Sequence, residues 1–307
     1  MRFYIGVTDN KWFRFLADRK AEEVNFWQPG GRTGFQAIEP GAPFLFKLHK
    51  PVHKIVGGGF FVRQSRLPVS IAWEAFGEKN GLATREAFLS QIQGYRRDRE
   101  PDPTIGCIVL TDPFYLPREQ WIDAPRDWAN SIVQGKTYES TAGEGAYVWD
   151  AVMERLGSYR QPTGQRHWVA VVPGGYGAAY LAKARIGQGA FRVLVTEAYK
   201  RRCALTGERT LPVLQASHIK PFAQEGPHRV SNGLLLRSDL HLLFDTGLLT
   251  VTPDYRVEVS SRIREQYENG RIYYALHGAS LVQLPENELE RPSREFVEWH
   301  NAHVFAG

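Results

Sequence analysis

The stretch SHIKPFAQEGPHRVSNGLLLRSDLHLLFD, residues 217–245, sets His218, Asn232 and His241 in apolar frames separated by one turn-rich loop. Residues 211–219 form a short apolar run with a histidine near its end. Residues 220–230 carry Pro221, Pro227 and Gly226, and residues 233–236 form a second apolar run. That order reads as strand, loop, strand. A helix is expected next, with Ser238 or Asp239 able to cap its start and Gly247 suited to a left-handed end. On it, His241 and Asp245 lie four residues apart and share a face.

These residue types suit hydrolysis of a phosphodiester. A divalent cation offsets charge on the phosphorane and the leaving oxygen, and one histidine with one carboxylate a helical turn away can hold it. A separate imidazole takes the proton of the attacking water, a task its near-neutral pKa fits. His218, at the end of the preceding strand, is the candidate base. Asn232 does not titrate, so its expected role is to orient, holding either the loop or the base. His228 reads as a solvated surface histidine.

On these residues the stretch resembles the HNH endonucleases, the ββα-metal nucleases, in the branch of the McrA-like restriction enzymes. His218 matches the first histidine of the motif, Asn232 its asparagine and His241 its last histidine, with HIKP, NGLLL and HLLFD around them. The resemblance covers residues 187–258, with RIGQGAFR (185–192) like the lead-in to such cores. It implies a need for Mg²⁺, Mn²⁺ or another divalent cation, and 5′-phosphate and 3′-hydroxyl ends. There are two departures. Ser217 stands where many members carry an Asp or His metal ligand. The chain also has only Cys107 and Cys203, with Thr206 where a second knuckle cysteine would stand, so no structural zinc is expected.

The rest of the chain is read around this centre. At 307 residues, 43% apolar and 12% aromatic, it is long enough for two cored domains and excludes a disordered polymer. No apolar run approaches the length of a membrane span, residues 1–9 read as a strand rather than a cleavable signal, and two cysteines give no disulfide framework. The expectation is a cytoplasmic protein without a membrane partner. The net charge of +5 is too modest to identify a ligand. Its distribution says more: Lys183, Arg185, Arg192, Lys200, Arg201 and Arg202 cluster against Glu197 alone, a basic approach suited to a DNA backbone.

Residues 1–156 are expected to form a first domain, 157–184 a linker and 185–307 the nuclease domain. The first opens with a strand over 3–7, an amphipathic helix through Trp12, Phe13 and Leu16, and strands over 24–27, 43–48 and 53–62. This predicts an α+β protein whose first domain is a curved sheet or barrel rimmed by helices. Gly57-Gly-Gly59 allows a sharp bend or a close approach. The order strand, helix, PGAPFLFKL, GGGFF, then Ser65, Trp73 and Phe76, with residues 119–138 as its later part, resembles the PUA superfamily of EVE, YTH and SRA readers. Ala42 replaces the usual aspartate of that segment.

The resemblance implies a reader that flips a modified base, a cytosine derivative such as 5-methylcytosine or 5-hydroxymethylcytosine, from double-stranded DNA into an aromatic pocket. Trp27, Phe60, Trp73, Tyr115 and Trp121 are the candidate rings, each with core packing as its plain alternative. Within the linker, residues 167–172 read as a strand. Beyond the centre, 248–259 reads as a hairpin, 263–276 as helix or strand, and 292–303 as a helix that packs on the nuclease core or forms a homodimer contact. Together these describe a modification-dependent DNA endonuclease. The alternatives are an HNH nuclease acting on unmodified DNA, and a modified-DNA binding protein with a degenerate centre, which Ser217 keeps open.

Overall fold

Strand alternation explains how the first part of the chain folds. The computed structural model describes residues 1–30, 34–158 and 186–307, and two units succeed one another along it, Met1–Ala190 and Phe191–Gly307. Nearly all of the expected linker, with its strand over 167–172, lies outside the described residues, as do Lys183 and Arg185.

The first unit holds β1 (Arg2–Thr8), β2 (Glu23–Gln28), β3 (Pro43–Leu48), β4 (Lys54–Pro68), β5 (Thr104–Tyr115), β6 (Ile122–Asp123) and β7 (Gly135–Glu139). They form one sheet in the order β2-β5-β4-β3-β1-β7, with β6 paired to β4. β1 and β3 run parallel, and β1 and β7 antiparallel, with Arg2 opposite Glu139. Among the described residues, four α-helices accompany the sheet: α1 (Asn10–Arg19), α2 (Val69–Phe76), α3 (Arg85–Tyr95) and α4 (Gly143–Ser158).

Both faces of this sheet are covered, which is why β3 is apolar almost throughout. Tyr4, Phe44, Phe46 and Leu48 enter one core with Trp12, Phe13 and Leu16 of α1. Phe3, Ile5 and Leu45 enter the other with Val148, Ala151 and Val152 of α4. The Asp9 carboxylate starts α1 by accepting from the backbone N–H of Lys11 and Trp12 at 2.8 and 2.9 Å. Curvature comes from β4, whose register with β5 shifts between Gly58 and Phe60 and again between Phe61 and Arg63. Gly57 is the close approach: a Cβ there would lie 2.2 Å from the Phe114 carbonyl oxygen. β4 runs on past the expected end at Val62, because residues 63–68 continue to pair with β5.

α5 (Gln188–Ala198) leads into the second unit and stops short of Arg202. Lys200 and Arg201, at φ 52° and 57°, turn the chain instead. β8 (Leu214–His218) pairs antiparallel with β9 (Gly233–Arg237), placing His218 opposite Gly233. α6 (Ser238–Asp245) follows at once, then the hairpin of β10 (Leu249–Val251) and β11 (Val257–Val259). Residues 263–276 are helical, in α7 (Arg262–Tyr267) and α8 (Arg271–Tyr274), and α9 (Arg294–His303) buries Phe296, Val297 and His300. The architecture is α+β.

Neither Ser238 nor Asp239 caps α6. Arg237 occupies the cap position, without a side-chain cap bond, and Asp239 is held by the Arg237 guanidinium at 2.6 and 2.8 Å. Gly247 does end the helix segment at φ 72°. The turn at 203–208 is closed by Cys203 N–H on the Glu208 carbonyl and Gly207 N–H on the Cys203 carbonyl, and both cysteines are free and buried. Among the described residues no helix is long and apolar enough to cross a membrane.

Candidate active site

The hairpin and α6 bring the motif residues onto one small surface. His218 ends β8, and its ring lies flat on Phe191 of α5, at 3.8 Å between centroids and 14° between planes. Gly233, its cross-strand partner, has no room for a side chain: a Cβ would meet Val195 at 2.6 Å and the Phe191 ring at 3.1 Å. The Asn-Gly pair therefore serves the packing of α5 against the hairpin as well as the turn.

On α6, one turn apart as expected, His241 Nε2 and Asp245 Oδ2 lie 3.1 Å apart. Gln215 of β8 holds the other ring nitrogen, its Oε1 being 2.7 Å from His241 Nδ1. With Oε1 as acceptor, Gln215 takes the proton of Nδ1, and Nε2 is the ring nitrogen that faces Asp245 and would meet a cation. Nothing in the sequence singles out Gln215 for this task. The Ser217 hydroxyl, fully buried, points at the other oxygen of the same carboxylate from 3.5 Å.

This donor pair fits a divalent cation. Two ligands at about 2.1 Å from one octahedral ion sit about 3 Å apart when adjacent, and the imidazole and carboxylate stand at that separation. His241 and Asp245 would hold the ion. Among the described residues no cluster of three His, Cys, Asp or Glu side chains gathers to enclose one, so water and substrate oxygens would complete its shell, as is usual for Mg²⁺.

Asn232, also fully buried, holds the loop rather than the base. Its Oδ1 accepts from Lys220 N–H at 2.8 Å, and its Nδ2 donates to the carbonyls of Lys220 and Pro227 at 2.9 and 3.0 Å. One amide thus closes the loop of residues 220–230 on itself. His228 follows Pro227, and here the sequence expectation fails. It is no free solvated side chain: its Nδ1 lies 2.8 Å from His218 Nε2, and its ring stacks on Phe222 at 4.5 Å and 10°. Burial, and to a lesser degree His228 and His241, push the His218 imidazole down to about 4 against an opposing pull from Asp245. His218 is therefore neutral at physiological pH and able to accept a proton.

The basic cluster is only partly available. Lys200 pairs with Glu286, and Arg201 with Glu197 at 2.6 Å; Arg192 lies on α5 and Arg202 just beyond its end. Surface ion pairs of this kind are worth under about 1 kcal/mol, little enough for a phosphate to displace the acid.

The first unit contains a cavity of about 400 Å³. Of the five expected rings only Trp27 lines it, joined by Trp12, Phe26 and Tyr95, with Asp9, Gln28, His49 and Gln134 among the polar lining. The other four serve packing. Phe60 is 1% exposed, and Trp73 packs on Phe88. Tyr115 sits on Phe13 and donates to the Ala21 carbonyl, and Trp121 lies against both cores with its Nε1 on the Leu116 carbonyl. Trp27 is itself fixed, its Nε1 donating to the Asn80 carbonyl at 2.9 Å.

Residues 203–252 match the HNH endonuclease family model. This chain therefore carries an HNH endonuclease domain, the metal-dependent DNA-cleaving class, over β8, β9, α6 and β10. No curated protein sequence matches the chain. Among solved structures it is similar to the ASCH protein of Zymomonas mobilis, at 13% identity and TM-score 0.32 over 52% of this chain and 96% of that one. A mutant form of the same protein aligns at 10% identity and TM-score 0.33, over 49% and 95%. A structure described as the modification-dependent TagI restriction endonuclease aligns at 13% identity and TM-score 0.30, over 92% of this chain and 76% of that one.

Proposed function

We propose that the chain is a modification-dependent DNA endonuclease of the cytoplasm, in which the second unit hydrolyses the backbone by a one-metal HNH mechanism and the first reads a modified base, a cytosine derivative. The observation that carries the nuclease half is the His241–Asp245 pair, set beside a neutral His218 on the hairpin. His218 accepts the proton of the attacking water. Asn232 keeps the loop closed behind it, and Gln215 holds His241 in the tautomer that presents Nε2. When bound, a divalent cation supplies the positive charge that offsets the phosphorane and the leaving oxygen. Arg192, Lys200, Arg201 and Arg202, with Lys183 and Arg185 of the same basic run, meet backbone phosphates. Cutting both strands then takes a second copy or a second encounter.

What supports the reader is the cavity beside Trp27. Its volume and its mixture of rings with a few polar groups suit one extruded base, which regains by stacking what it loses on leaving the duplex. Trp27 replaces the wider set of rings expected from sequence.

The test is incubation of the full chain with Mg²⁺ or Mn²⁺ and two plasmids of one sequence, one carrying modified cytosines and one bare. Cleavage of the modified plasmid alone is the expected result. Cleavage of both would remove the reader and leave an HNH nuclease acting on unmodified DNA. A second reading, a non-catalytic modified-DNA binding protein, draws on Ser217 in the place of a ligand; specific binding without cleavage under any divalent cation would favour it.

A further inference from the structure

We infer that His228 is a positioning residue for the candidate base: its Nδ1 accepts the Nε2 proton of His218 and so leaves Nδ1 of His218 as the one nitrogen free to take a proton from water. The inference rests on the nuclease reading of this site and adds a residue that the HNH pattern of His218, Asn232 and His241 does not contain.

Four contacts carry it. The two ring nitrogens are 2.8 Å apart, so one of them carries the shared proton. The stack on Phe191 holds the plane of the His218 ring in which this contact is made. His228 is held as firmly, by the stack on Phe222 and by the Asn232 amide on the carbonyl of Pro227, the residue before it. The path from Asn232 to the base therefore runs through the loop and His228 rather than through a direct bond.

Direction follows from what the other nitrogens do. Nδ1 of His218 has no hydrogen-bond partner among the described residues, and Asp245 and His241 are close enough to act on the ring electrostatically. If His218 donates from Nε2, both imidazoles carry their proton on Nε2 and Nδ1 of His218 keeps its lone pair. If His228 donated instead, His218 would carry its proton on Nδ1, and neither of its nitrogens would be free to act on water. Only the first arrangement serves a general base.

The experiment compares the full-length chain with His228→Phe, which keeps a ring on Phe222 but accepts no hydrogen bond, and His228→Asn, whose Oδ1 stands near the position of the lost Nδ1. Two quantities are read: the tautomer of His218 by ¹⁵N-histidine NMR without metal, and kcat and KM for plasmid cleavage with Mn²⁺. The expected result is a single Nε2–H tautomer of His218 in the parent chain and a mixture in His228→Phe. kcat should fall about 10- to 100-fold in that variant with KM within about twofold, and His228→Asn should recover most of the loss. A proton on Nδ1 of His218 in the parent chain would overturn the proposal, as would an unchanged tautomer and kcat in His228→Phe. Failure of His228→Asn to recover either quantity would reduce His228 to ring packing. If no cation supports cleavage by the parent chain, the nuclease reading fails, and the tautomer comparison alone decides whether His228 orients His218.

Discussion

The His300 imidazole lies face to face on the Phe244 ring, at 3.8 Å between centroids and 14° between planes. Phe244 is the residue before Asp245, so α9 braces the helix that carries the candidate metal ligands. The same ring sits with Nε2 3.1 Å from the Phe244 carbonyl oxygen and Nδ1 2.8 Å from the Thr250 hydroxyl. Burial pushes His300 down to about 4, against smaller opposing pulls from the Phe244 carbonyl and Asp245.

A depressed pKa in the folded state means that the unfolded chain binds the proton more readily. The contribution of His300 is therefore complete above about pH 6.5 and is lost as pH falls from there toward about 4, by about 3 kcal/mol in all. Hydrogen exchange of the α6 amides across that range measures it. In His300→Gln the protection should be lower near neutral pH, and its decline on acidification should flatten. An equally steep decline in the variant would assign the titration elsewhere.

His218→Ala removes the base and leaves the phosphate-facing surface untouched. Cleavage should drop by about 10²- to 10⁴-fold, the range of general base catalysis, while the Kd for DNA measured with Ca²⁺ in place of Mg²⁺ stays within a few fold. Persistent cleavage would take His218 out of that role.

Asp245→Asn keeps the size of the side chain and discards its charge. Mn²⁺ binding to the full chain, followed by electron paramagnetic resonance, should weaken by at least about tenfold, because one histidine is then the only strong ligand left. His241→Ala should weaken it similarly. The two losses should not add, since both act on one ion.

Trp27→Ala empties one wall of the cavity in the first unit. If a base stacks there, the preference for modified over bare duplex should shrink by about 5- to 150-fold, equivalent to roughly 1 to 3 kcal/mol. Affinity for the bare duplex should not change. The corresponding Phe60→Leu change should alter stability without altering the preference, as that ring lies in the core.

Asn232→Ala leaves Lys220 N–H and the carbonyls of Lys220 and Pro227 without their partner. A loss of about 3 kcal/mol in the stability of the second unit is expected. Binding of Mn²⁺ should persist, because His241 and Asp245 belong to α6 and not to the loop.

How much of this is legible in the sequence varies with the range of the contact that decides it. His241 and Asp245 share a face because both belong to one helix, and four residues of spacing already say so. The pairing of β8 and β9 likewise follows from two apolar runs around a loop with two prolines. His228 is misread from sequence because its contact with His218 depends on a loop folding back through Asn232, which no local pattern announces. The cap of α6 fails for a related reason: Asp239 has the chemistry, but the Arg237 guanidinium takes it. The aromatic candidates are the hardest. Trp27, Phe60, Trp73, Tyr115 and Trp121 look alike in sequence, and only the course of a curved sheet decides which ring borders a cavity and which fills a core. Tyr95 and Phe26 escape notice on the same ground. β4 is cut short because its last residues are carried by pairing with β5 rather than by an apolar run of their own.

The pairing of Arg2 with Glu139 has a consequence for how the protein comes into being. The first strand of the sheet has no neighbour on its β7 side until the chain as far as Glu139 has left the ribosome, a slow, non-local closure. β8, β9 and α6, by contrast, need only the stretch from Leu214 to Asp245. Yet synthesis runs from the N-terminus, and domains complete in that order. The sheet unit has its last strand before His218 has been translated. A nascent chain therefore passes through a stage at which the unit with the Trp27 cavity has all its strands and the HNH hairpin does not yet exist, and at no stage is the opposite true.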